Sequence, residues 1–298
     1  MRRAIVLAHH DPEGIVDPHV VHALRAYRPL ATRIVLVSNS ARVLPDTLAD
    51  VVDTFLPREN VGYDFGAWQA GLRCLSADGG FDAPQFDEVV CVNDSVYGPI
   101  GDPVGLFADR RTADADLWGM VLSQQPPQGG GRSARPHLQS WFFAARRPLL
   151  SAPVWSDFWA GIAPQQSKND VISRYEVGLS ERVMTAGHRI AALHEARTAA
   201  AIGWEEIRPH LSLSAPWRSW RLLRKSRRPL HNPAELTWWR LLESGVPFVK
   251  ISLLRVNHYG LDPARIRAGI MAAAAGSGFD AGLVTRHLAR VSGKHHRG

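Results

Sequence analysis

Phe86-Asp-Glu-Val-Val-Cys-Val-Asn-Asp-Ser-Val-Tyr-Gly-Pro99 carries an apolar run that passes directly into Asn93, Asp94 and Ser95 and then stops at Gly98 and Pro99. A short apolar run ended by turn residues reads as a buried strand. In open α/β sheets ligands bind beyond the carboxyl ends of the strands, so Asp94 falls where a ligand would sit. Upstream the chain alternates: strand at 4–8, helix at 18–27, strand at 33–38, short strand at 53–56, helix at 65–76, strand at 88–93. Such alternation predicts a parallel, doubly wound α/β sheet.

Beyond residue 100 the rhythm changes. Residues 117–122 and 138–144 read as strands on either side of a glycine-rich stretch at 124–131, a candidate lid. A helix is expected at 171–186, stopped by Gly187, and a strand at 189–193. After about residue 200 come a basic segment, a helix near 233–244, a stretch at 246–256 and alanine-rich helices.

At 298 residues the chain can bury a full core without a disulfide or structural metal. Cys74 and Cys91 have no CxxC partner and read as core thiols of a reducing compartment. The apolar run after Met1-Arg2-Arg3 is broken at His9, and no stretch approaches ~18 apolar residues, so neither a signal peptide nor a membrane span is expected. The expected location is cytoplasmic, at most peripheral on the inner face of the cell membrane.

Charge is unevenly divided. Residues 1–207 hold 19 Lys and Arg against 24 Asp and Glu, net −5, whereas 208–298 hold 16 against 4, net +12. The densest basic part, Trp217-Arg-Ser-Trp220-Arg-Leu-Leu-Arg224-Lys225-Ser-Arg227-Arg228, interleaves aromatic and cationic side chains, a composition suited to anionic lipid headgroups, to polyphosphate or, as composition alone, to nucleic acid. A solvated connector is the bland reading of the same run. Nucleic acid is not expected as a partner, because the acidic front two-thirds and the site motifs would then go unexplained.

A second acidic motif, Asn60-Val-Gly-Tyr-Asp-Phe-Gly-Ala-Trp68, opens a helix. Gly62 and Gly66 permit close backbone approach, and Asp64 reads either as the helix N-cap or, with Asn60, as a ligand contact. Trp68 reads as core. Together the two motifs suggest a nucleotide-sugar site. A diphosphate leaving group calls for a hard cation such as Mg²⁺ or Mn²⁺, which takes carboxylate, phosphate and water oxygens. Asp94 is the carboxylate for it, with Asn93 and Ser95 beside it; His9 and Ser38 close the first two strands where a donor would meet them. His137, Gln139 and Ser140 alternate along an expected strand, so that His137 and Gln139 share a face and could line an acceptor pocket.

Four segments carry a further signal: Glu59-Asn-Val-Gly-Tyr-Asp-Phe-Gly-Ala-Trp68, Val92-Asn-Asp-Ser-Val-Tyr-Gly-Pro99, His137-Leu-Gln-Ser-Trp-Phe142 and Asp170-Val-Ile-Ser-Arg-Tyr-Glu-Val-Gly-Leu-Ser180. With Asn232-Pro233, Trp238-Trp239 and Pro247-Phe-Val-Lys250, the chain resembles the rhamnan synthesis protein F family of bacterial polysaccharide glycosyltransferases over about residues 1–260. The resemblance implies a GT-A-like nucleotide-diphospho-sugar transferase fold, with a Rossmann-like, mainly parallel sheet. It sets Asn93-Asp94-Ser95 where such enzymes carry Asp-x-Asp, one carboxylate short.

It also implies residues 1–200 as the catalytic domain, donor-binding in 1–100 and acceptor-side in 101–200, with 201–298 a basic helical extension packing on it. The segment from Tyr175 to Ile190 is similar to the acidic helix of inverting GT-A transferases, which makes Glu176 the first choice of general base and Asp170 the second. His188 and His194 are implied as further metal ligands. By the same resemblance the expected donor is dTDP-L-rhamnose, and the acceptor a growing cell-surface polysaccharide or lipid-linked glycan. A non-catalytic sugar-nucleotide or glycan-binding subunit is the alternative.

Overall fold

A computed structural model describes residues 1–124, 135–165, 167–196, 202–227 and 231–292. The glycine-rich stretch, apart from Gln124, and the His295-His296 tail lie outside the described residues.

Eight strands form one mixed sheet. In chain order the first four are β1 (Arg3–His9), β2 (Arg33–Ser38), β3 (Thr54–Pro57) and β4 (Glu88–Asn93). They lie parallel in the order β3-β2-β1-β4. Side chains of β1 and β4 alternate between two apolar cores, Val6 and Cys91 facing one, Leu7 and Val92 the other. Burial on both faces explains why these strands read as continuous apolar runs. The helix Pro18–Tyr27 covers one face with Val20, Leu24 and Tyr27, and the helix Tyr63–Arg73 covers the opposite face with Phe65, Trp68 and Leu72.

In the second half, where the strand–helix alternation stops, the pairing becomes mixed. After β5 (Val96–Tyr97) come β6 (Leu117–Ser123), β7 (His137–Leu138), β8 (Phe142–Arg146) and β9 (Ile190–Glu195). β8 runs antiparallel between β4 and β6, β7 is antiparallel to β6, and β9 is parallel to it. The strand expected at 138–144 is thus broken. Gly119 faces Phe143 but Leu122 faces Leu138, so two extra residues bulge between β7 and β8. A bulge re-aims the side chains it carries. The helix expected at 171–186 is continuous from Lys168 to Thr185, with a π-helical stretch Ile172–Val177 in its middle.

The C-terminal third is not a detached appendage. β10 (Val249–Lys250) pairs antiparallel with β5, and Phe248, Val246 and Leu241 enter the sheet's core. A third core joins Tyr97 and Ile100 to Leu222, Trp238, Ile266 and Val284. No helix among the described residues is long and apolar enough to cross a membrane.

Close approach fixes Gly66. A Cβ there would stand 2.3 Å from the Val61 carbonyl oxygen, a backbone atom that cannot swing aside. Gly66→Ala is therefore expected to destabilise by about 1–3 kcal/mol. Thermal unfolding measures it, and an unchanged midpoint would mean that the 60–62 loop yields freely.

Candidate active site

The carboxyl ends of β1 and β4 and the start of the helix Tyr63–Arg73 meet at Asn93. Its Nδ2 donates to Asp64 Oδ2 at 2.7 Å, while its Oδ1 accepts from the Ser95 amide at 3.1 Å and hydroxyl at 2.6 Å. Asp94 turns the other way, accepting from the His10 amide at 2.7 Å. The helix N-cap is Gly62, in the left-handed conformation at φ 80°, so Asp64 lies inside the first turn. Capping is not its role; its carboxylate is aimed at the Asn93 side chain.

Asp64 and Asp94, supplied by different motifs, nonetheless feel each other electrostatically. Burial pushes both above the usual carboxylate range, and Asp64 adds repulsion to Asp94, which reaches about 8 despite the His10 amide. Paired carboxylates whose charged forms are disfavoured are candidates for holding a cation. Carboxylate oxygens are the donors that a hard divalent ion takes.

Lys250 reaches the same end of β4 from the C-terminal third. The β5–β10 ladder sets its Nζ 3.2 Å from the Ser95 hydroxyl and 5.7 Å from the centre of the Trp141 ring. Burial lowers it to about 8, against the attraction of Glu176, Glu235 and Asp64. An ammonium so placed gains from an incoming anion. Sequence reasoning gave Lys250 no role, and only its place at the end of the Pro247-Phe-Val-Lys250 match could have drawn attention to it.

Glu176 projects from the π-helical stretch, a departure from α geometry that recurs at functional sites. Its Oε2 accepts from the Ser140 amide at 2.8 Å and the Ser140 hydroxyl at 2.5 Å, and its Oε1 lies 3.8 Å from His137 Nε2. Ser140 reaches it because it sits in the bulge between β7 and β8. His137 and Gln139 do not share a target as alternation implied, since β7 ends at Leu138. His137 faces Glu176, whereas Gln139 donates to Asn232 Oδ1 at 2.9 Å and accepts from Trp141 Nε1 at 2.9 Å.

Other expected site residues are already engaged. His9 is buried, with Nδ1 2.9 Å from the Ser38 hydroxyl and Nε2 3.1 Å from the Ile15 carbonyl, and Ser38 Oγ also accepts from the Ala41 amide. They shape the loop after β1, and His9 Nε2 also stands 4.0 Å from Asp94 Oδ2. Asp170 is tied to the helix start, accepting from the Ser167 hydroxyl at 2.7 Å. Asn60 is exposed on the loop before Gly62. His194 is not brought to Asp94: β9 lies three strands from β4, about 14 Å at ordinary strand spacing, and His194 Nδ1 meets Ser244 Oγ at 3.2 Å near Arg240 and Arg111. His188 pairs with Asp116 at 3.1 Å at the opposite end of β9. Trp68 is buried, as expected.

The family model described as rhamnan synthesis protein F matches residues 34–216, more than half of the chain. The virulence protein VirA of Vibrio anguillarum is 27% identical over 233 residues, which are 76% of this chain and 70% of that protein. Among solved structures, glucosyl-3-phosphoglycerate synthase of Mycobacterium tuberculosis, in complex with phosphoglyceric acid, is similar at 14% identity and a TM-score of 0.39, over 76% of this chain and 79% of that one. CMP:2-keto-3-deoxy-manno-octonic acid synthetase with CTP is similar at 12% identity and a TM-score of 0.35, over 66% and 91%.

Proposed function

The chain belongs to the rhamnan synthesis protein F family, and from that premise we propose that it is a glycosyltransferase that moves a sugar from a nucleotide-diphosphate donor to a glycan. The observation that carries this reading is the electrostatic coupling of Asp64 to Asp94 and to Lys250, acid and base together beside Asn93 and Ser95. A cation would answer the acids and a diphosphate the base.

In this reading Asp94 and Asp64 would hold Mg²⁺ or Mn²⁺, which when bound would supply positive charge to the departing diphosphate. Lys250 directs its ammonium at the same diphosphate, and Asn93 and Ser95 keep the two carboxylates apart and oriented. Glu176, fixed through Oε2 by Ser140, takes the proton of an acceptor hydroxyl at Oε1. The acceptor oxygen bonds to the anomeric carbon as the bond from that carbon to the diphosphate breaks, and the nucleoside diphosphate leaves. Attack opposite the leaving group inverts the anomeric centre. The donor is dTDP-L-rhamnose or a related deoxysugar nucleotide, and the acceptor a growing cell-surface polysaccharide or lipid-linked glycan.

A thermal-shift screen of nucleotide sugars with and without Mn²⁺ tests donor, metal and binding together. Stabilisation by a dTDP-sugar that needs Mn²⁺ is expected; no shift with any nucleotide sugar would remove the reading. The single carboxylate in Asn93-Asp94-Ser95 favours a second reading, a sugar-nucleotide-binding subunit without turnover. Slow donor hydrolysis in the absence of acceptor separates the two, since only a transferase performs it.

The lipid-linked acceptor would be met through the helix Pro216–Ser226. Leu222 is buried, while Trp217 and Trp220 are 59% and 62% exposed, with Arg221 4.9 Å from the Trp217 ring centre and Arg224 4.9 Å from that of Trp220. Indole and guanidinium groups on one exposed helix suit anionic headgroups. The protein is expected to sediment with anionic liposomes at low ionic strength and to dissociate as salt rises, and Trp217→Ala with Trp220→Ala should weaken it further. No binding at low salt ends the membrane part alone.

A further inference from the structure

At the far end of the loop after β1, the start of the helix Pro18–Tyr27 lies against the C-terminal helix Gly282–Ser292. There the ligand atoms of Asp17, His19 and His287 fall within 4.8 Å of one another, and all three residues are buried. Asp17 occupies the N-cap position yet caps nothing. It turns instead to Arg290, which binds both its oxygens, and its Oδ2 stands 3.8 Å from His287 Nε2.

His287 is oriented for a ligand on that nitrogen. Its Nδ1 is 2.7 Å from the Tyr97 hydroxyl, the outer partner that commonly fixes the tautomer of a metal-binding imidazole. His19 is 5% exposed, and neither of its ring nitrogens has a hydrogen bond. The Asp94 backbone lies beside the ring but forms no aligned hydrogen bond with it. A buried polar ring without a partner is costly in a folded chain unless something else binds it.

Charge points the same way. Arg290 faces Asp11, Glu13 and Asp17, and Arg255 adds a second positive charge near His287. Three carboxylates against two guanidiniums leave this group of side chains acidic.

We propose that Asp17, His19 and His287 bind a divalent transition metal of the zinc type, separate from the cation at Asp94, which fastens the C-terminal helix to the loop after β1. Two imidazoles and one carboxylate are borderline-soft donors of the kind zinc takes, in preference to the all-oxygen sets of Mg²⁺. Tetrahedral zinc separates its ligand atoms by about 3.3 Å, so the cluster needs only a small contraction. The fastened loop also carries the His10 amide that holds Asp94. The inference does not rest on the transferase reading, and metal content reports on it whatever the turnover.

The test uses the full, untagged chain, loaded with Zn²⁺, dialysed and analysed for metal. About one zinc per chain is expected in the wild type and in Asp94→Ala, and none in His19→Ala with His287→Ala. Chelation should lower the thermal midpoint of the wild type and leave that double variant unmoved. Should the variant fail to fold, Co²⁺ added to metal-stripped wild type should develop the visible absorption of a tetrahedral nitrogen–oxygen site. Absence of both zinc and cobalt signals in the wild type overturns the proposal. So does stoichiometric zinc retained by the double variant, held for example by His295 and His296.

Discussion

Glu176→Gln is expected to lower kcat by about 10²–10⁴-fold, the range over which a positioned general base contributes, while leaving donor affinity unchanged. The amide keeps the size of the carboxylate and can still accept from the Ser140 amide and hydroxyl, which bond Oε2 at 2.8 and 2.5 Å. What it loses is the capacity to take a proton. Donor binding, followed by the Mn²⁺-dependent thermal shift, should therefore match the wild type even as transfer to acceptor collapses. Rates within a few-fold of wild type would remove Glu176 as the base and return attention to Asp170. A loss of donor binding instead would mean that Glu176 acts through Lys250, whose charge it faces.

Asp94→Asn should have the opposite signature. Binding and turnover fail together, with turnover down on the order of 10³-fold, because charge on the departing diphosphate is no longer neutralised. Removing a carboxylate that repels Asp64 also relieves the apo protein, so its thermal midpoint should hold or rise. A loss of activity with a maintained midpoint separates a ligand-binding carboxylate from a structural one. Asp64→Asn should follow in the same direction but more weakly, since its Oδ2 accepts from Asn93 and an amide there can still do so. Full activity in Asp94→Asn would sink the assignment of the site, though not the zinc inference, which concerns different side chains.

Much of this architecture could be read from residue order. The helix at 18–27 and the strands at 33–38 and 88–93 have the expected bounds, because a short apolar run closed by turn residues, or a face-periodic run opened by Pro18, leaves little choice of boundary. Asn93, Asp94 and Ser95 stand out in the sequence for the same reason, being the polar end of a buried strand.

The misses share a physical cause: each depends on what a residue meets across the fold. Nothing local distinguishes the bulge at Gln139 and Ser140 from a continuous strand, since only pairing with β6 reveals two surplus residues. Periodicity gives a helix at 171–186 but not its π-helical turn. Asp64 has the composition of a cap, yet Gly62 takes the cap and Asn93 takes the carboxylate. His9 and Ser38 stand where a ligand could reach them in chain order, but each finds the other first. Lys250 is 155 residues from Ser95 and meets it only through a two-residue ladder.

That ladder couples two things usually treated apart. Because β10 delivers Lys250 to the end of β4, an anionic ligand drawn to Lys250 and the docking of the last hundred residues are thermodynamically linked, each tightening the other by the same free energy. A shortened chain ending near residue 200 would accordingly be no minimal catalyst, for it would lack the only lysine that β10 carries there.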